Sequence, residues 1–585
     1  MDTLSGSEPG LPDVSLVFRS QAFRLENHRS LANQLGLGPD CTAEDLLIAG
    51  WRRWHEELPV RLKGCFSFAI FDRERQALFV ARDAFGEAPL YYLARADMVV
   101  AADTSRTVRR LAGSELTVDL LACADFLNGG YGGRESTFFA GLRRLPAGSW
   151  ALFPAKSGVV CQRFWAPGPS HTALHPSLDH AGDIQAFREA FDRAVMARYK
   201  AGETAILLSG GLDSSAILGS LIAQGIAPSE IPCLIKTYRL SADWRDEPHL
   251  VSLQRRFGLT YHEVPSDQHN PLQDMETWLD VLDGPYMSYG HSVASNLLFE
   301  AKRAGWSNLL SGHGGDEVVG YGLGRLNELA RQRRLLVLWR EIDGMTALSG
   351  QSRLRLMRKY LTHNAFYRRI ERRVLRAFPD PVEHQEPSLN VDAQEALPDY
   401  ASPKIPALLR SEHDDLMVQI EALEDPVQQL ALETIGQSSR SLGLNTSLPF
   451  YDRDLVELSL SLPSSLKLRG GMTRYVLRAA MRGRLPADVL SRQDKYDFTG
   501  PFIAGLAAHR EQVLALTQMD EGGLLSGLVN KARLKRVRDE LARSGTQLHR
   551  EDARFIWRCS VLAMWNGQLE SAPGVLTLTD KTGQF

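Results

Sequence analysis

The strongest chemical pattern in the chain is the run Ser209-Gly210-Gly211-Leu212-Asp213-Ser214-Ser215, which follows a short apolar segment and precedes a helix-like one. Backbone N–H groups and the helix dipole at such a turn can hold an anion, and the two glycines let the main chain approach a phosphate closely. No Gly-Lys-Ser/Thr occurs there, so the loop is not a Walker A motif; it matches the pyrophosphate-binding loop of enzymes that split ATP between the α and β phosphates. We therefore predict ATP binding by Leu207, Ser209, Gly210, Gly211, Asp213, Ser214 and Ser215.

A second Gly-rich turn, Ser311-Gly312-His313-Gly314-Gly315-Asp316-Glu317, follows the apolar run 308–310. Alone it is a weak signal, because a turn with a capping aspartate would explain it. Two such loops at the same end of adjacent parallel strands can hold one Mg²⁺, which prefers one or two carboxylates plus phosphate oxygens. The predicted metal ligands are Asp213 and Asp316, and the further predicted ATP contacts are Thr237, Ser311 and Gly312.

The elements that must position these loops change character along the chain. Residues 1–165 are strand-rich, with a hairpin predicted from strands 67–71 and 77–81, and residues 166–181, rich in Pro, Ser, Gly and His, predict a linker. From 182 to 585 strands and helices alternate before the chain becomes mostly helical beyond Gly324. Strands at 205–208, 232–237 and 308–310 predict a parallel sheet with ligands at its carboxyl edge.

Composition narrows the class of protein. The 585 residues carry a formal net charge of −3, so no global field draws the chain to nucleic acid or membrane. No apolar run has the length of a membrane span, and the start lacks the layout of a signal peptide. The six cysteines are scattered without a Cys-x-x-Cys pair, which favours a reduced setting. We expect a cytoplasmic protein without nucleic acid or membrane partners.

Several further segments together resemble the asparagine synthetase family: LKGCFSFAIFD (62–72), ARDAFGEAPLYY (81–92), LPFYD (448–452), KLRGG (467–471) and RQDK (492–495). The resemblance covers most of the chain. It implies an N-terminal glutaminase-like αββα sandwich and a parallel-sheet α/β synthetase domain of the ATP pyrophosphatase type, with helical insertions. It also implies that Lys495 stabilises charge in the transition state; the alternative is a solvated surface lysine.

The N-terminal half departs from that family's pattern. Glutamine hydrolysis there needs an N-terminal cysteine whose own amine acts as base, whereas this sequence begins Met-Asp-Thr and its first cysteine is Cys41. The departure implies an inactive glutaminase domain, retained as a platform or a dock. We therefore expect the attacking nitrogen to come from another substrate.

His313 is the second departure. Asparagine synthetases carry a carboxylate at this place and the β-lactam-forming relatives a tyrosine, while a histidine resembles the lasso peptide cyclases. That resemblance implies ATP-dependent macrolactam formation, through an acyl-adenylate, between the N-terminal amine of a leader-free precursor peptide and an internal Asp or Glu. The implied partners are the precursor peptide and, from the same pathway, the leader peptidase and leader-binding protein. A histidine can position the amine or accept its proton; the alternative is a ring that only bonds the loop backbone.

A basic helical stretch lies near 325–378. Its many arginines are interleaved with leucines and accompanied by few acids. Amphipathic helices with a solvated basic face would explain it, and a partner or peptide surface is the functional alternative. An RNA surface is less favoured, since no RNA-module signature accompanies the stretch.

Three rival functions stay open. An ammonia-using asparagine synthetase, or a β-lactam synthetase-like amidotransferase acting on a small molecule, is opposed by the segment Leu444-Asn445-Thr446, which lacks the glutamate that many synthetases carry there. A tRNA-modifying enzyme would use the same ATP loop, but the glutaminase-like half argues against it. A scaffold without activity is opposed by the retention of Asp213, Asp316 and Lys495.

Overall fold

The structure is a computed structural model that describes residues 13–113, 116–130, 132–156, 158–169, 180–239, 244–267, 270–349, 352–362, 386–397, 414–493, 498–518, 523–543 and 548–571. Within those ranges no helix is both long and apolar enough to cross a membrane. Two units follow one another along the chain: a sandwich of antiparallel sheets, then a parallel sheet flanked by helices.

The sandwich occupies the first part of the described chain. Its strands are β1 (Val14–Arg19), β2 (Arg24–Leu25), β3 (Gly64–Cys65), β4 (Ser67–Asp72), β5 (Ala77–Arg82), β6 (Tyr91–Ala94), β7 (Val99–Ala102), β8 (Arg143–Arg144), β9 (Ser149–Pro154) and β10 (Val160–Arg163). One sheet has the order β1-β4-β5-β9-β10 and the other the order β7-β6-β8, while β2 pairs with β3. The predicted hairpin is β4–β5, paired from Ser67 opposite Arg82 to Asp72 opposite Ala77.

Helices cover the outer faces of the sandwich: α1 (His28–Leu35), α2 (Ala43–Trp54), α3 (Leu58–Arg61), α4 (Ser105–Ala112) and α5 (Leu120–Leu127). Strand β4 shows why the layers stack. Its Phe68 and Ile70 pack with Trp51 of α2, whereas the intervening Ala69 packs with Tyr92 of the second sheet. Both faces of the strand are therefore buried, which explains its continuous apolar run. The predicted αββα sandwich is confirmed.

The second unit is built on five parallel strands: β11 (Thr204–Leu207), β12 (Cys233–Thr237), β13 (Tyr261–Pro265), β14 (Asn308–Ser311) and β15 (Asn445–Ser447). Their order is β13-β12-β11-β14-β15, so the two strands that carry the Gly-rich loops, β11 and β14, are neighbours. The predicted parallel sheet is confirmed. Strands β13 and β15 were not predicted, because β13 is largely exposed and β15 is a polar Asn-Thr-Ser segment.

Helices pack on both faces of this sheet. They are α6 (Ala181–Met196), α7 (Leu212–Ala223), α8 (Glu247–Phe257), α9 (Met275–Leu282), α10 (His291–Arg303) and α11 (Gly315–Val319). The helix predicted from Ser214 begins two residues earlier, with Gly211 at its N-cap. The predicted linker 166–181 separates β10 from α6, although most of it lies outside the described residues.

The rest of the described chain is helical apart from the short strands β16 (Leu468–Arg469) and β17 (Met472–Thr473). The last described helix, Arg550–Ser571, packs in the largest apolar cluster, which also contains side chains of the sandwich. The helices of this region are α12 (Gly324–Arg331), α13 (Leu335–Ser349), α14 (Arg353–Thr362), α15 (Val391–Glu395), α16 (Asp415–Glu424), α17 (Pro426–Ser441), α18 (Arg453–Ser461), α19 (Ser464–Lys467), α20 (Tyr475–Ala480), α21 (Ala487–Ser491), α22 (Thr499–Ala508), α23 (Arg510–Leu516), α24 (Leu524–Leu528), α25 (Lys531–Arg543) and α26 (Arg550–Ser571).

The predicted basic insert is described only up to Thr362. Helices α12, α13 and α14 pack around a small apolar core that includes Leu338 and Leu356. Leu336 and Leu354, by contrast, are exposed. The last arginines of the predicted stretch lie outside the described residues: Arg368, Arg369, Arg372, Arg373 and Arg376.

Candidate functional site

The first Gly-rich loop connects β11 to α7 and is shaped by its own hydroxyls. The backbone N–H of Ser209 donates to Ser214 Oγ at 3.1 Å, and the N–H of Gly211 donates to Ser209 Oγ at 3.3 Å. Gly210 has a φ of +68°, in the left-handed region that glycine adopts without strain. A Cβ there would also lie 3.1 Å from the carbonyl oxygen of Asp246. The sequence therefore folds into a tight turn at the edge of the sheet.

The second loop, between β14 and α11, lies directly against the first. A Cβ on Gly312 would come within 2.7 Å of the backbone nitrogen of Ser214, and one on Gly315 within 2.5 Å of Asp213 Cγ. Real Cβ contacts are not this short, so only glycines permit the two loops to meet. The predicted convergence of both loops at the carboxyl edge is what the structure shows.

Asp213 and Asp316 face one another across a single guanidinium group. Arg474 Nη1 lies 2.7 Å from Asp213 Oδ2 and 2.7 Å from Asp316 Oδ1. Burial alone would lower the pKa of Arg474, but the two carboxylates outweigh it and raise that pKa. Two carboxylates that share one cation at hydrogen-bond distance have the chemistry and the spacing to share a Mg²⁺ with phosphate oxygens. Sequence reasoning missed Arg474, because nothing around it marks an arginine as internal.

A cavity of about 540 Å³ opens beside these loops. Of the predicted ATP and catalytic residues, those that line it are Leu207, Ser209, Gly211, Asp213, Ser214, Ser311, Gly312 and His313. Gly210, Ser215, Thr237 and Asp316 lie in or next to these elements but are not among the lining residues. The volume is in the range typical of small-molecule sites.

Strand alternation explains the position of Thr237. On β12 the residues that line the cavity are Leu234 and Lys236, followed by Tyr238 just beyond the strand. Successive side chains of a strand point to opposite faces, so Thr237 lies on the other side. It is 1% exposed, and its hydroxyl has no hydrogen-bond partner among the described residues.

Lys236 is the cavity residue that sequence reasoning overlooked, although the apolar alternation of β12 could have placed it. Its ammonium group makes no hydrogen bond or salt bridge with any described residue. Burial lowers the pKa of this lysine, and the more distant Asp246 partly opposes that shift. A partly buried cation that faces a cavity and forms no ion pair with a described residue is suited to bind an anionic ligand.

His313 borders the cavity from the second loop. Its backbone N–H donates to Ser311 Oγ at 3.3 Å, and its ring centroid lies 6.1 Å from that of Tyr451 at an interplanar angle of 33°. The residue is partly buried. It is therefore placed to reach a bound ligand from the side of the loop that carries Asp316.

Lys495 lies outside the described residues, and its predicted role stays a prediction. The residues that flank the gap are described: Arg492 and Phe498 both line the cavity. Arg492 Nη2 also lies 2.7 Å from Asp246 Oδ1. The chain therefore reaches the cavity just before and just after the segment that contains Lys495.

The wall opposite the loops is formed by α10 and α17. Its apolar part includes Leu297, Leu298 and Ile435. His291 Nε2 lies 3.3 Å from Ser438 Oγ, and burial lowers the pKa of His291 to about 4. The imidazole is therefore neutral at physiological pH, so this wall presents hydroxyls and apolar groups.

Comparisons with known proteins agree with this architecture. A family model described as "Asparagine synthase" matches residues 186–567, and one described as "Glutamine amidotransferase domain" matches residues 16–165. The chain is 23% identical over 500 residues to glutamine-hydrolysing asparagine synthetase 3 of Bacillus subtilis strain 168, covering 82% of this chain and 74% of that protein. It is 22% identical over 472 residues to asparagine synthetase 1 of the same strain, covering 77% of this chain and 70% of that protein.

A solved structure is also similar. Glutamine phosphoribosylpyrophosphate amidotransferase from B. subtilis, complexed with ADP and GMP, is 13% identical and covers 44% of this chain and 63% of its own. The TM-score is 0.20.

Proposed function

The chain belongs to the asparagine synthase family, and on that premise we propose that this ATP-dependent amide-forming ligase closes a macrolactam, as lasso peptide cyclases do. The substrate is a leader-free precursor peptide. The new isopeptide bond joins its N-terminal amine to the side chain of an internal Asp or Glu. The precursor peptide is thus the principal partner, with the leader peptidase and leader-binding protein of the same pathway as further partners.

The reaction has two steps at the cavity. The peptide's side-chain carboxylate attacks the α-phosphorus of ATP, the bond to the bridging oxygen breaks, and pyrophosphate leaves. The neutral N-terminal amine then attacks the acyl carbon, the acyl–phosphate bond breaks, AMP leaves, and the amine releases a proton. Because an acyl-adenylate hydrolyses easily, the cavity must exclude water and hold the two ends of the ring together.

The two Gly-rich loops support the first step. Backbone N–H groups of the first loop and the hydroxyls of Ser209 and Ser214 would hold phosphate oxygens. Asp213 and Asp316 would hold Mg²⁺, whose chemical contribution there would be to neutralise phosphate charge. Arg474 lies between those carboxylates and supplies a second cation for the departing pyrophosphate. Lys236 adds a third on the side of β12.

One observation carries the choice of a peptide over a free amino acid. Both described carboxylates that line the cavity are already engaged by arginines, Asp213 by Arg474 and Asp246 by Arg492. A free amino acid brings an α-ammonium group, which these ion pairs leave without a carboxylate of its own and which the cations that face the cavity repel. An internal residue of a peptide has a neutral amide there instead, which hydroxyls such as that of Ser438 can satisfy.

His313 supports the second step. A peptide α-amine has a pKa of about 7.7–8.0, so a large fraction is protonated at neutral pH and cannot attack. A histidine at the cavity wall can orient the amine and accept its proton. Lys495, in the segment flanked by Arg492 and Phe498, would stabilise the charge that develops as AMP leaves.

The alternative is an asparagine synthetase or β-lactam synthetase-like amidotransferase acting on a small molecule. It is favoured by the relatives, which are glutamine-hydrolysing asparagine synthetases. It requires a nitrogen source, which in those proteins is glutamine. Release of glutamate from glutamine in the presence of ATP would support this alternative against the macrolactam proposal.

A blocked peptide separates the two half-reactions. Core peptides encoded beside the gene are synthesised with free and with acetylated N-termini and tested for exchange of labelled pyrophosphate into ATP. The acetylated peptide should support pyrophosphate exchange but should not lose the mass of one water. A peptide with Asn or Gln at the acceptor position should show neither exchange nor loss of water. Exchange with free aspartate but with no peptide would overturn the proposal.

A further inference from the structure

Helix α17 (Pro426–Ser441) has one face against the sandwich and the other in the ligand cavity. Gln429, Glu433 and Gln437, spaced by four residues, share a face and meet the sandwich. Ile435 and Ser438, on the opposite side, line the cavity. The position of this helix is therefore common to both units.

The sandwich holds Glu433 through three side chains. Arg82 Nη2 lies 2.6 Å and Arg144 Nε 3.0 Å from Glu433 Oε1, while the Tyr91 hydroxyl donates to Oε2 at 3.0 Å. The Arg82 and Glu433 side chains are 0% and 4% exposed. Burial would raise the pKa of Glu433, but the two arginines outweigh it and hold that pKa below its ordinary value. The glutamate is therefore charged and fixed.

Arg82 is itself rigidly placed. Its guanidinium group donates to the backbone carbonyl oxygens of Gly86, Ala88 and Leu145, at 2.6–2.9 Å. A shift of α17 along its axis would pull Glu433 away from a cation that cannot follow. Leaving a buried carboxylate without its partners is strongly unfavourable, so this contact fixes the position of α17 along its axis.

The cavity face of α17 is bonded to two neighbouring elements, α10 and β15. Ser438 Oγ lies 3.3 Å from His291 Nε2 at the start of α10. Ser439 Oγ lies 2.6 Å from the hydroxyl of Thr446 on β15. A displacement of α17 therefore changes the distances between groups that line the cavity.

We propose that the sandwich is a positioning part of the ATP-dependent centre: Arg82, Arg144 and Tyr91 hold Glu433, and Glu433 sets the place of the cavity wall formed by α17. This inference rests on the proposed binding of ATP in the cavity. It gives the glutaminase-like domain a role that needs no glutamine hydrolysis. Glu433 touches no ligand in this account; it acts through Ser438 and Ile435.

The test is a double-mutant cycle on affinity for a non-hydrolysable MgATP analogue, measured by calorimetry with the full chain. Glu433→Gln should weaken binding by roughly fivefold, a modest coupling between sites. Ser438→Ala should also weaken binding. In the Glu433→Gln/Ser438→Ala double variant the loss of affinity should be smaller than the sum of the two single losses, since both residues act on the same wall. Additive losses would show two independent sites and overturn the inference.

Two further variants separate positioning from general stability. Asp454→Asn breaks another ion pair between the units, Lys63 Nζ to Asp454 at 2.7 Å, which is exposed and does not reach α17. It should leave analogue affinity unchanged. Tyr91→Phe is a milder change that keeps the packing, and it should also weaken binding of the analogue. Cooperative thermal unfolding would show that this variant is folded. It therefore tests the inference even if Glu433→Gln does not fold.

The outcomes distinguish the two proposals. Binding of the analogue by the unmodified chain that is unaffected by both Glu433→Gln and Tyr91→Phe would refute the positioning role alone. Absence of binding by the folded, unmodified chain would refute the proposed ATP-dependent function and this inference with it.

Discussion

In the sandwich, the buried carboxylate of Asp83 accepts hydrogen bonds from the backbone N–H groups of Gly86 at 2.7 Å and Ala88 at 2.9 Å, among others. At the edge of the parallel sheet, Asp213 and Asp316 instead converge on one arginine beside a cavity. The residue type is the same and its surroundings differ. Asp83 stabilises a turn, whereas the other two hold a cation at the edge of the cavity.

The cations of the two regions differ in the same way. Arg82 donates to three carbonyl oxygens and to Glu433, so its hydrogen-bonding capacity is nearly used up. Lys236 faces the cavity without a hydrogen bond or salt bridge to a described residue. Buried polar groups are normally satisfied, so a group with unmet capacity at a cavity marks a ligand site.

The largest effect should come from the metal carboxylates. Asp213→Asn and Asp316→Asn should each lower pyrophosphate exchange by a factor of about a hundred or more, because each removes a charge from the proposed Mg²⁺ site. Asp72→Asn is the matched control: Asp72 is buried and accepts from Trp51 Nε1 at 2.9 Å, so its loss should lower the melting temperature and spare exchange. If pyrophosphate exchange survives in both Asp213→Asn and Asp316→Asn, the proposed difference between these aspartates and those of the sandwich is wrong.

Lys495→Met belongs to the same experiment. If this lysine acts when AMP leaves, its variant should keep pyrophosphate exchange and lose amide formation. Loss of exchange as complete as in the aspartate variants would show that the division of roles is wrong.

Lys236→Met should raise the KM for ATP by roughly tenfold, the size of one lost charge-assisted hydrogen bond. The melting temperature should not fall, because the change removes a partly buried cation without a partner. Lys200→Met, at a residue whose side chain is 58% exposed, serves as the control and should change neither quantity. A lower melting temperature with an unchanged KM would make Lys236 structural.

His313→Ala should lower the rate of amide formation by about tenfold or more, the lower range of general acid–base effects. The loss should grow below neutral pH, where fewer peptide amines are neutral. Rates measured from pH 6 to 9 with a saturating peptide check this. An unchanged rate and pH profile would mean that the His313 ring serves only to bond the loop backbone.

At His291 we expect the smallest effect on the reaction at neutral pH and, instead, a change in stability at acid pH. The pKa of His291 is lowered to about 4 by burial, so the unfolded chain binds a proton there before the folded chain does. The free energy of unfolding should therefore fall as pH drops from about 6.5 to about 4, by about 3 kcal/mol for this group. Denaturant titrations of His291→Gln should show a shallower fall; an exposed control, His262→Gln, should not.

Much of the fold could be predicted, because it depends on local patterns. The hairpin β4–β5 has two apolar runs around a polar turn, and β11, β12 and β14 are short apolar runs followed by turns or loops. Strand β15 could not be predicted, since its three polar residues are placed by pairing with β14. Long-range pairing leaves no periodicity in so short a segment.

The site was predicted in part for a related reason. Both Gly-rich loops follow predicted strands, so their convergence follows from parallel-sheet geometry. Thr237 was predicted to contact ATP, but strand alternation brings its neighbour Lys236 to the cavity. Arg474 stands at the start of a helix, 261 residues beyond Asp213 in the sequence. Only the tertiary fold shows that the two side chains meet.

The central claim is tested most directly by following one reaction for nucleotide products and peptide mass together. The purified chain is incubated with Mg²⁺, ATP and a core peptide encoded beside its gene, and analysed by ³¹P NMR and mass spectrometry. The account predicts AMP and pyrophosphate in equal amounts, with one water lost from the peptide for each AMP formed. ADP and phosphate as products, or AMP formed with free aspartate and with no peptide, would contradict it.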